Sequence, residues 1–93
     1  MQNNKLNKTT IYQEGNKTVV QYYNTNIIKF NDDNIELNNG GFKTRSTKDR
    51  LNQIAKMFNL NYQIYQKDNE WFVAYKKLDK MPFYNGMILI RSL

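Results

Sequence analysis

The chain has 93 residues, a length that fits one small domain. It contains no cysteine and no histidine, which excludes disulfides, thiol catalysis and Cys-based zinc sites and removes the commonest general base. The formal net charge is +6, from 14 Lys and Arg against eight Asp and Glu. A surplus of this size favours contact with nucleic acid or another polyanion, although lysine-rich surfaces also serve solubility alone.

Other features of the composition narrow the class of protein further. The eight carboxylates are scattered along the chain, so we expect no enzyme activity, no cofactor and no metal site. An aromatic content of 14% argues against a disordered chain. The longest apolar run, Met87–Ile90, is far too short to span a bilayer, and the first residues lack the apolar core of a signal peptide. These features predict a cytoplasmic protein without membrane contact.

Two β-hairpins are predicted in the first part of the chain, after a polar and mobile tail over residues 1–8. The single domain then spans residues 9–93. Strands rich in Thr, Val and Tyr flank a turn at Glu14-Gly15-Asn16 and form the first hairpin. In the second hairpin, Ile28 and Phe30 alternate with polar residues on one strand, as Ile35 and Leu37 do on the next. This period of two lets the pair bury one apolar face.

One amphipathic helix is predicted at about residues 47–58. Leu51, Ile54, Ala55 and Phe58 recur at helical spacing and form an apolar stripe on one side. Ser46 precedes Asp49 by three residues, a spacing that resembles a capping box with Ser46 as the N-cap.

Strands return after the helix. Residues 62–66 and 70–75 alternate around a turn, and residues 76–80 read as a charged connection. The Asn-Gly pair at 85–86, between 82–84 and 87–90, is a strong hairpin signal. The order β-β-β-β-α-β-β-β-β predicts an α+β fold in which the helix packs on an antiparallel sheet of β-hairpins.

The most informative segment lies at the entrance to the predicted helix. Gly40-Gly41 precedes a run of hydroxyl and basic side chains, and a helix N-terminus offers unpaired N–H groups and a partial positive charge. If the residues after Gly41 are extended, Phe42 anchors in the core and Lys43 projects outward. We predict nucleic-acid binding here, although Ser and Thr at this position also act as ordinary caps. The predicted binding residues are Lys43, Thr44, Arg45, Ser46, Thr47, Lys48 and Arg50.

Aromatic residues crowd the predicted strands, and rings on an open sheet face can stack single-stranded bases. Most of these rings should pack in the core, because aromatic side chains fill a small core efficiently. The predicted outward rings, and therefore the candidates for stacking, are Tyr23, Tyr65 and Phe72.

The segment from Leu37 to Gln53 reads Leu-Asn-Asn-Gly-Gly-Phe, then Thr-Lys-Asp-Arg-Leu-Asn at the helix start. This pattern resembles a small family of tailed-phage proteins, whose second block also looks like residues 65–73 here. Phe42 stands where Trp is commoner in that family, and Leu51 stands where Met is commoner. The resemblance implies a phage origin and leaves the function open.

Two functions are compatible with these observations. The first is a small non-enzymatic phage accessory protein that binds DNA or RNA through the basic helix-entry loop. The alternative is a protein-interaction module without a nucleic-acid role, either a host-factor inhibitor in host takeover or a minor virion component. In either case the protein would act in the host-cell cytoplasm or in the virion. An open sheet edge could also pair two copies of the chain.

Overall fold

The computed structural model describes residues 7–91 and has the predicted α+β class and element order. Four strands precede a single helix in this part of the chain, and four strands follow it. The elements are β1 (Thr9–Glu14), β2 (Lys17–Tyr22), β3 (Thr25–Phe30), β4 (Asn34–Leu37), α1 (Arg45–Met57), β5 (Tyr62–Lys67), β6 (Glu70–Tyr75), β7 (Leu78–Pro82) and β8 (Met87–Ile90).

The strands form two antiparallel sheets. The larger has the strand order β1-β2-β3-β4-β8, and the smaller has the order β5-β6-β7. The inner faces of both sheets and one side of α1 share one apolar core, which includes Ile28, Leu37, Leu51, Ile54 and Ile64. The predicted helix stripe is therefore confirmed, and it packs into a core that two sheets share rather than across a single sheet.

The two predicted N-terminal hairpins are confirmed in detail. β1 pairs with β2 around the Gly15 turn, and Gly15 has a φ of +63°, a conformation that glycine adopts at little cost. In the second hairpin Ile28 lies opposite Leu37 and Phe30 lies opposite Ile35. All four of these side chains are buried, as their alternation predicts.

Helix α1 covers the open edge of β5. The Asn52 side chain donates a hydrogen bond to the Ile64 carbonyl at 2.9 Å and accepts one from the Ile64 N–H at 2.8 Å. Asn52 thus takes the place of a neighbouring strand at Ile64, whose outward N–H and C=O groups would otherwise remain unpaired. The buried Tyr62 hydroxyl also donates to the Leu51 carbonyl at 2.6 Å, and burial raises the pKa of the Tyr62 phenol.

The predicted last hairpin is wrong. β8 pairs with β4 in the larger sheet, whereas the segment before it, β7, pairs with β6 in the smaller one. The Asn85-Gly86 turn closes with a Met87 N–H to Tyr84 carbonyl bond of 3.2 Å, but within the pair only Gly86 has positive φ. A tight hairpin of type I′ needs positive φ at both central residues, so this turn carries the chain between sheets.

Two further predictions need correction or fall outside the described residues. Residues 76–80 were expected to be a connection, but β7 begins at Leu78 because its backbone completes the edge of the smaller sheet beside β6. Most of the predicted tail over residues 1–8 lies outside the described residues, and Asn7 and Lys8 form a turn before β1. Among residues 7–91, no helix is long and apolar enough to cross a membrane.

Candidate nucleic-acid interface

Thr44 caps the helix. It has extended backbone angles, φ −93° and ψ 153°, and its Oγ1 accepts a hydrogen bond from the Thr47 N–H at 3.3 Å. The helix therefore begins two residues before the predicted start, and the proposed capping box of Ser46 and Asp49 is wrong. Ser46 already lies inside the first turn, and Asp49 instead forms an ion pair with Arg45, one helical turn before it.

The loop before the helix lies close to the turn between β2 and β3. Gly40 has a φ of +66°, and a Cβ added there would lie 2.8 Å from Thr25 Oγ1. Buried Asn39 holds the loop in place, because its Oδ1 accepts from the Gly41 N–H at 2.8 Å and its own N–H donates to Asn85 Oδ1 at 2.7 Å. Gly40 thus allows the loop to approach Thr25 closely, and the glycine pair also allows the chain to reverse its direction.

Phe42 does not anchor in the core, contrary to the prediction. Its side chain is 61% exposed. Gly40 and Gly41 both have positive φ, and the Phe42 N–H bonds back to the Asn39 carbonyl at 3.0 Å. The chain therefore turns at residues 39–42, whereas the prediction assumed an extended strand with alternating side chains.

A cleft of about 420 Å³ opens between this loop, the β2–β3 turn and the start of the helix. Its lining is mainly apolar and aromatic, with polar contributions from three hydroxyl side chains at the helix start. Tyr23 and Phe42, each 61% exposed, both line this cleft. The residues that line the cleft are Tyr22, Tyr23, Asn24, Thr25, Ile27, Asn39, Phe42, Thr44, Ser46 and Thr47.

Two cations, Lys43 and Arg45, flank the cleft-lining residue Thr44 in the chain. Lys43 Nζ lies 3.5 Å from Glu70 Oε1, and Arg45 Nε lies 3.7 Å from Asp49 Oδ2. All four side chains are at least half exposed, and exposed ion pairs contribute only about 0–1 kcal/mol. A phosphate can therefore compete for both cations. The first turn of the helix contains no acidic residue, so the partial positive charge of its N-terminus is not neutralised locally.

Arg50 is held by contacts within the protein. Its guanidinium lies over the Tyr22 ring at 5.1 Å, donates to Gln53 Oε1 at 2.6 Å, and donates more weakly to the Asn7 carbonyl at 3.4 Å. Lys48 is half-buried along the helix. Of the seven predicted binding residues, the structure brings Thr44, Ser46 and Thr47 into one cleft. Lys43 and Arg45 lie next to these residues in the chain.

The three predicted stacking rings lie in two different places. Tyr65 and Phe72 lie opposite each other on β5 and β6 and stack on one another, with ring centroids 5.7 Å apart. Lys80 covers the Phe72 ring at 5.6 Å, and the Tyr65 hydroxyl donates to the Asp79 carbonyl at 2.5 Å. Both rings are half-buried by these contacts, whereas Tyr23 is exposed at the cleft.

Tyr23 has an unusual backbone conformation. Its φ is +55°, in the left-handed region that bulky L-residues rarely adopt. The Tyr23 N–H donates to the Lys8 carbonyl at 2.8 Å, and its ring meets the Tyr22 ring edge-on at 4.7 Å. The sequence gives no direct sign of this conformation, or of the exposure of Phe42, because both depend on contacts between distant segments.

These features define a small α+β domain with an aromatic cleft at the start of α1. Within residues 7–91, no three Asp or Glu side chains lie close enough together to hold a metal ion. The chain matches the Kyanoviridae Gp96 protein family over residues 1–90, and it belongs to that family of phage proteins. The predicted phage origin is therefore confirmed. Comparisons with curated proteins and with solved structures give no match.

Proposed function

We propose that this phage protein binds single-stranded nucleic acid, with one nucleotide held at the cleft before α1. One observation carries the proposal: two exposed aromatic rings and the N-terminus of a helix line the same cleft. A nucleotide has an aromatic base and an anionic phosphate, and such a cleft provides contacts of the matching kind for each of them.

The aromatic side chains provide the contacts for the base. Tyr23 and Phe42 lie on different loops and both line the cleft, so a base can contact either ring or insert between them. Stacking of this kind contributes about 1–3 kcal/mol per base and depends little on sequence. The left-handed conformation of Tyr23 supports a functional role, since such strain costs about 1–3 kcal/mol and is concentrated at functional sites.

The start of the helix provides the contacts for the phosphate. The hydroxyl groups of Thr44 and Ser46 line the cleft and lie 3.4 Å apart. Lys43 and Arg45 are the chain neighbours of Thr44, are exposed, and have carboxylate partners that are weak competitors for a phosphate. The net charge of +6 adds long-range attraction for a polyanion.

Fluorescence anisotropy with a labelled oligo(dT) and a duplex of the same length tests the proposal. We expect tighter binding to the single strand, because a base inside a duplex cannot enter the cleft. The logarithm of the affinity should fall with the logarithm of salt concentration, with a slope of about −0.7 per neutralised phosphate. Absence of binding at low salt, or equal binding to the duplex, would refute the proposal.

Variants separate the cleft from general positive charge. Tyr23→Asn should weaken binding about 5- to 150-fold without loss of stability, because Asn tolerates the left-handed conformation better than Tyr. Tyr84→Ala is the matched control, since Tyr84 is equally exposed, at 62%, and does not line the cleft. Arg45→Gln should reduce the salt slope by about 0.7. Lys77→Gln, on the exposed turn before β7, should reduce it less.

A second candidate is a protein-interaction module, a host-factor inhibitor or a minor virion component. The outer face of the larger sheet favours it, because Ile88 and Ile90 lie there and are 45% and 43% exposed. Tagged protein recovered from infected cells would then retain a stoichiometric protein partner after nuclease treatment, and Ile88→Lys would release it. Loss of all partners on nuclease treatment would argue against this candidate.

A further inference from the structure

Strand β1 forms an open edge on which the one charged residue, Glu14, lies at the end of the strand. It is one edge of the larger sheet, and residues 10–14 are all exposed. Natural proteins protect strand edges with lysine, proline, bulges or a covering element. The edge of β5 is bonded to Asn52 of α1 at Ile64, and β7 contains Asp79, Lys80 and Pro82. β1 has the sequence TTIYQE, which contains no lysine, arginine or proline.

The hydrogen-bonding groups on this edge can be assigned from the register. The Lys8 carbonyl accepts from Tyr23 in the β1–β2 ladder, and the direction of the backbone groups alternates along a strand. The N–H and C=O groups of the even-numbered residues of β1 therefore face β2. Those of Thr9, Ile11 and Gln13 face outward, away from the sheet.

We propose that two copies of this chain pair through β1, antiparallel and with Ile11 opposite Ile11 of the second copy. In this register the outward groups of Ile11 bond to each other, and those of Thr9 bond to Gln13 of the second copy. All three outward-facing residues thus find partners, which makes a continuous ten-stranded sheet across the pair.

Charge complementarity selects this register from its neighbours. Lys8 precedes the strand and Glu14 ends it, so pairing about Ile11 places each Lys8 opposite Glu14 of the second copy, twice by symmetry. Glu14 Oε1 also lies 3.6 Å from Lys29 Nζ of its own chain, a partly exposed ion pair with which Lys8 of the second copy would compete. A shift by one residue would place outward groups against inward ones and is excluded by the alternation. A shift by two would lose both opposite-charge pairs. The proposal does not depend on nucleic-acid binding.

Sedimentation equilibrium over a range of protein concentrations tests the proposal. A single strand pair is a small interface, so we expect weak association, with the mass rising from 11.2 kDa towards twice that value at high concentration. Ile11→Pro removes an outward N–H and leaves the bonds to β2 intact, so it should raise the dissociation constant at least about fivefold. A mass of 11.2 kDa at every concentration would overturn the proposal.

Ile88→Pro is the matched control on the opposite edge of the same sheet. Arg91 donates to the Asp33 carbonyl at 2.8 Å in the β4–β8 ladder, so the Ile88 N–H also faces outward, and its loss should leave dimerisation unchanged. Association that weakens with Ile88→Pro and not with Ile11→Pro would assign the contact to β8 and overturn the proposal.

A charge exchange tests the register, and it does not depend on how a proline affects folding. Lys8→Glu and Glu14→Lys should each weaken self-association, because like charges then face each other at both ends of the strand pair. A mixture of the two variants should form a heterodimer, since each variant supplies the charge that the other lacks. A mixture that associates no better than either variant alone would refute the proposed register.

Discussion

The contact between α1 and β5 allows the sharpest test of the fold. Asn52 makes two hydrogen bonds to Ile64, at 2.8 and 2.9 Å; Ile64 is buried and Asn52 is half-buried. In Asn52→Ala the backbone N–H and C=O of Ile64 lose their partners, at about 1–3 kcal/mol for each buried group. Partial access of water reduces that cost, and the higher helix propensity of Ala offsets about 0.5 kcal/mol. We expect a net loss of about 2–3 kcal/mol.

Urea unfolding monitored by Trp71 fluorescence measures this loss. Trp71 is the only tryptophan in the chain and is 2% exposed, so its emission reports directly on core exposure. A loss of this size is a large part of the roughly 5–14 kcal/mol expected for a domain of 93 residues. The urea concentration at the midpoint of unfolding should fall. The slope of the unfolding free energy against urea concentration should stay constant, because the surface exposed on unfolding hardly changes.

Gln53→Ala is the matched control for Asn52→Ala. Gln53 is the next residue on the same helix, is exposed, and bonds only to the Arg50 side chain among the described contacts. Its replacement should change stability by less than about 0.5 kcal/mol. If Asn52→Ala is equally mild, α1 does not complete the edge of β5 and the account of this contact is wrong.

Two further predictions concern the loop and the core. Gly40→Ala should destabilise the protein more than Gly41→Ala in the same urea assay, because both have positive φ but only Gly40 would bring its Cβ against Thr25; equal losses would show that the close approach is unimportant. Burial raises the pKa of Tyr62, so the protonated phenol stabilises the fold below about pH 10 and that stability is lost as pH rises further. Tyr62→Phe should flatten this alkaline loss without abolishing it, since burial also raises the pKa of Tyr75; an unchanged slope would contradict the assignment.

Part of the candidate site was predictable from the sequence. The glycine pair and the hydroxyl and basic run after it identified the helix entrance, because caps and glycine turns depend on local chemistry. The exposed position of the Phe42 side chain was not predictable. Its exposure follows from a turn that Asn39 holds through Asn85, 46 residues further along the chain. The contact of Arg50 with Tyr22 was not predictable either, since the two residues lie on different elements.

The hairpin signal at residues 85–86 shows why strand pairing was harder to predict than strand position. Asn-Gly correctly marked a turn, and the apolar run at residues 87–90 was correctly predicted to be a strand. The strand with which residues 87–90 pair depends on the twist of the turn and on the free edge of β4. Neither is encoded within a few residues, so a local pattern cannot distinguish a hairpin from a connection between sheets.

The amino-acid sequence by itself determined the α+β class, the order of the strands and helix along the chain, the two N-terminal hairpins and the apolar stripe of α1, because each follows from local periodicity and turn chemistry. Only the tertiary structure decided that the strands divide into two sheets, that Asn52 covers the edge of β5, and that Tyr23 and Phe42 share a cleft with the helix start. These features depend on contacts between segments far apart in sequence, and their free energy comes from packing and hydrogen bonding that form only when the whole domain folds.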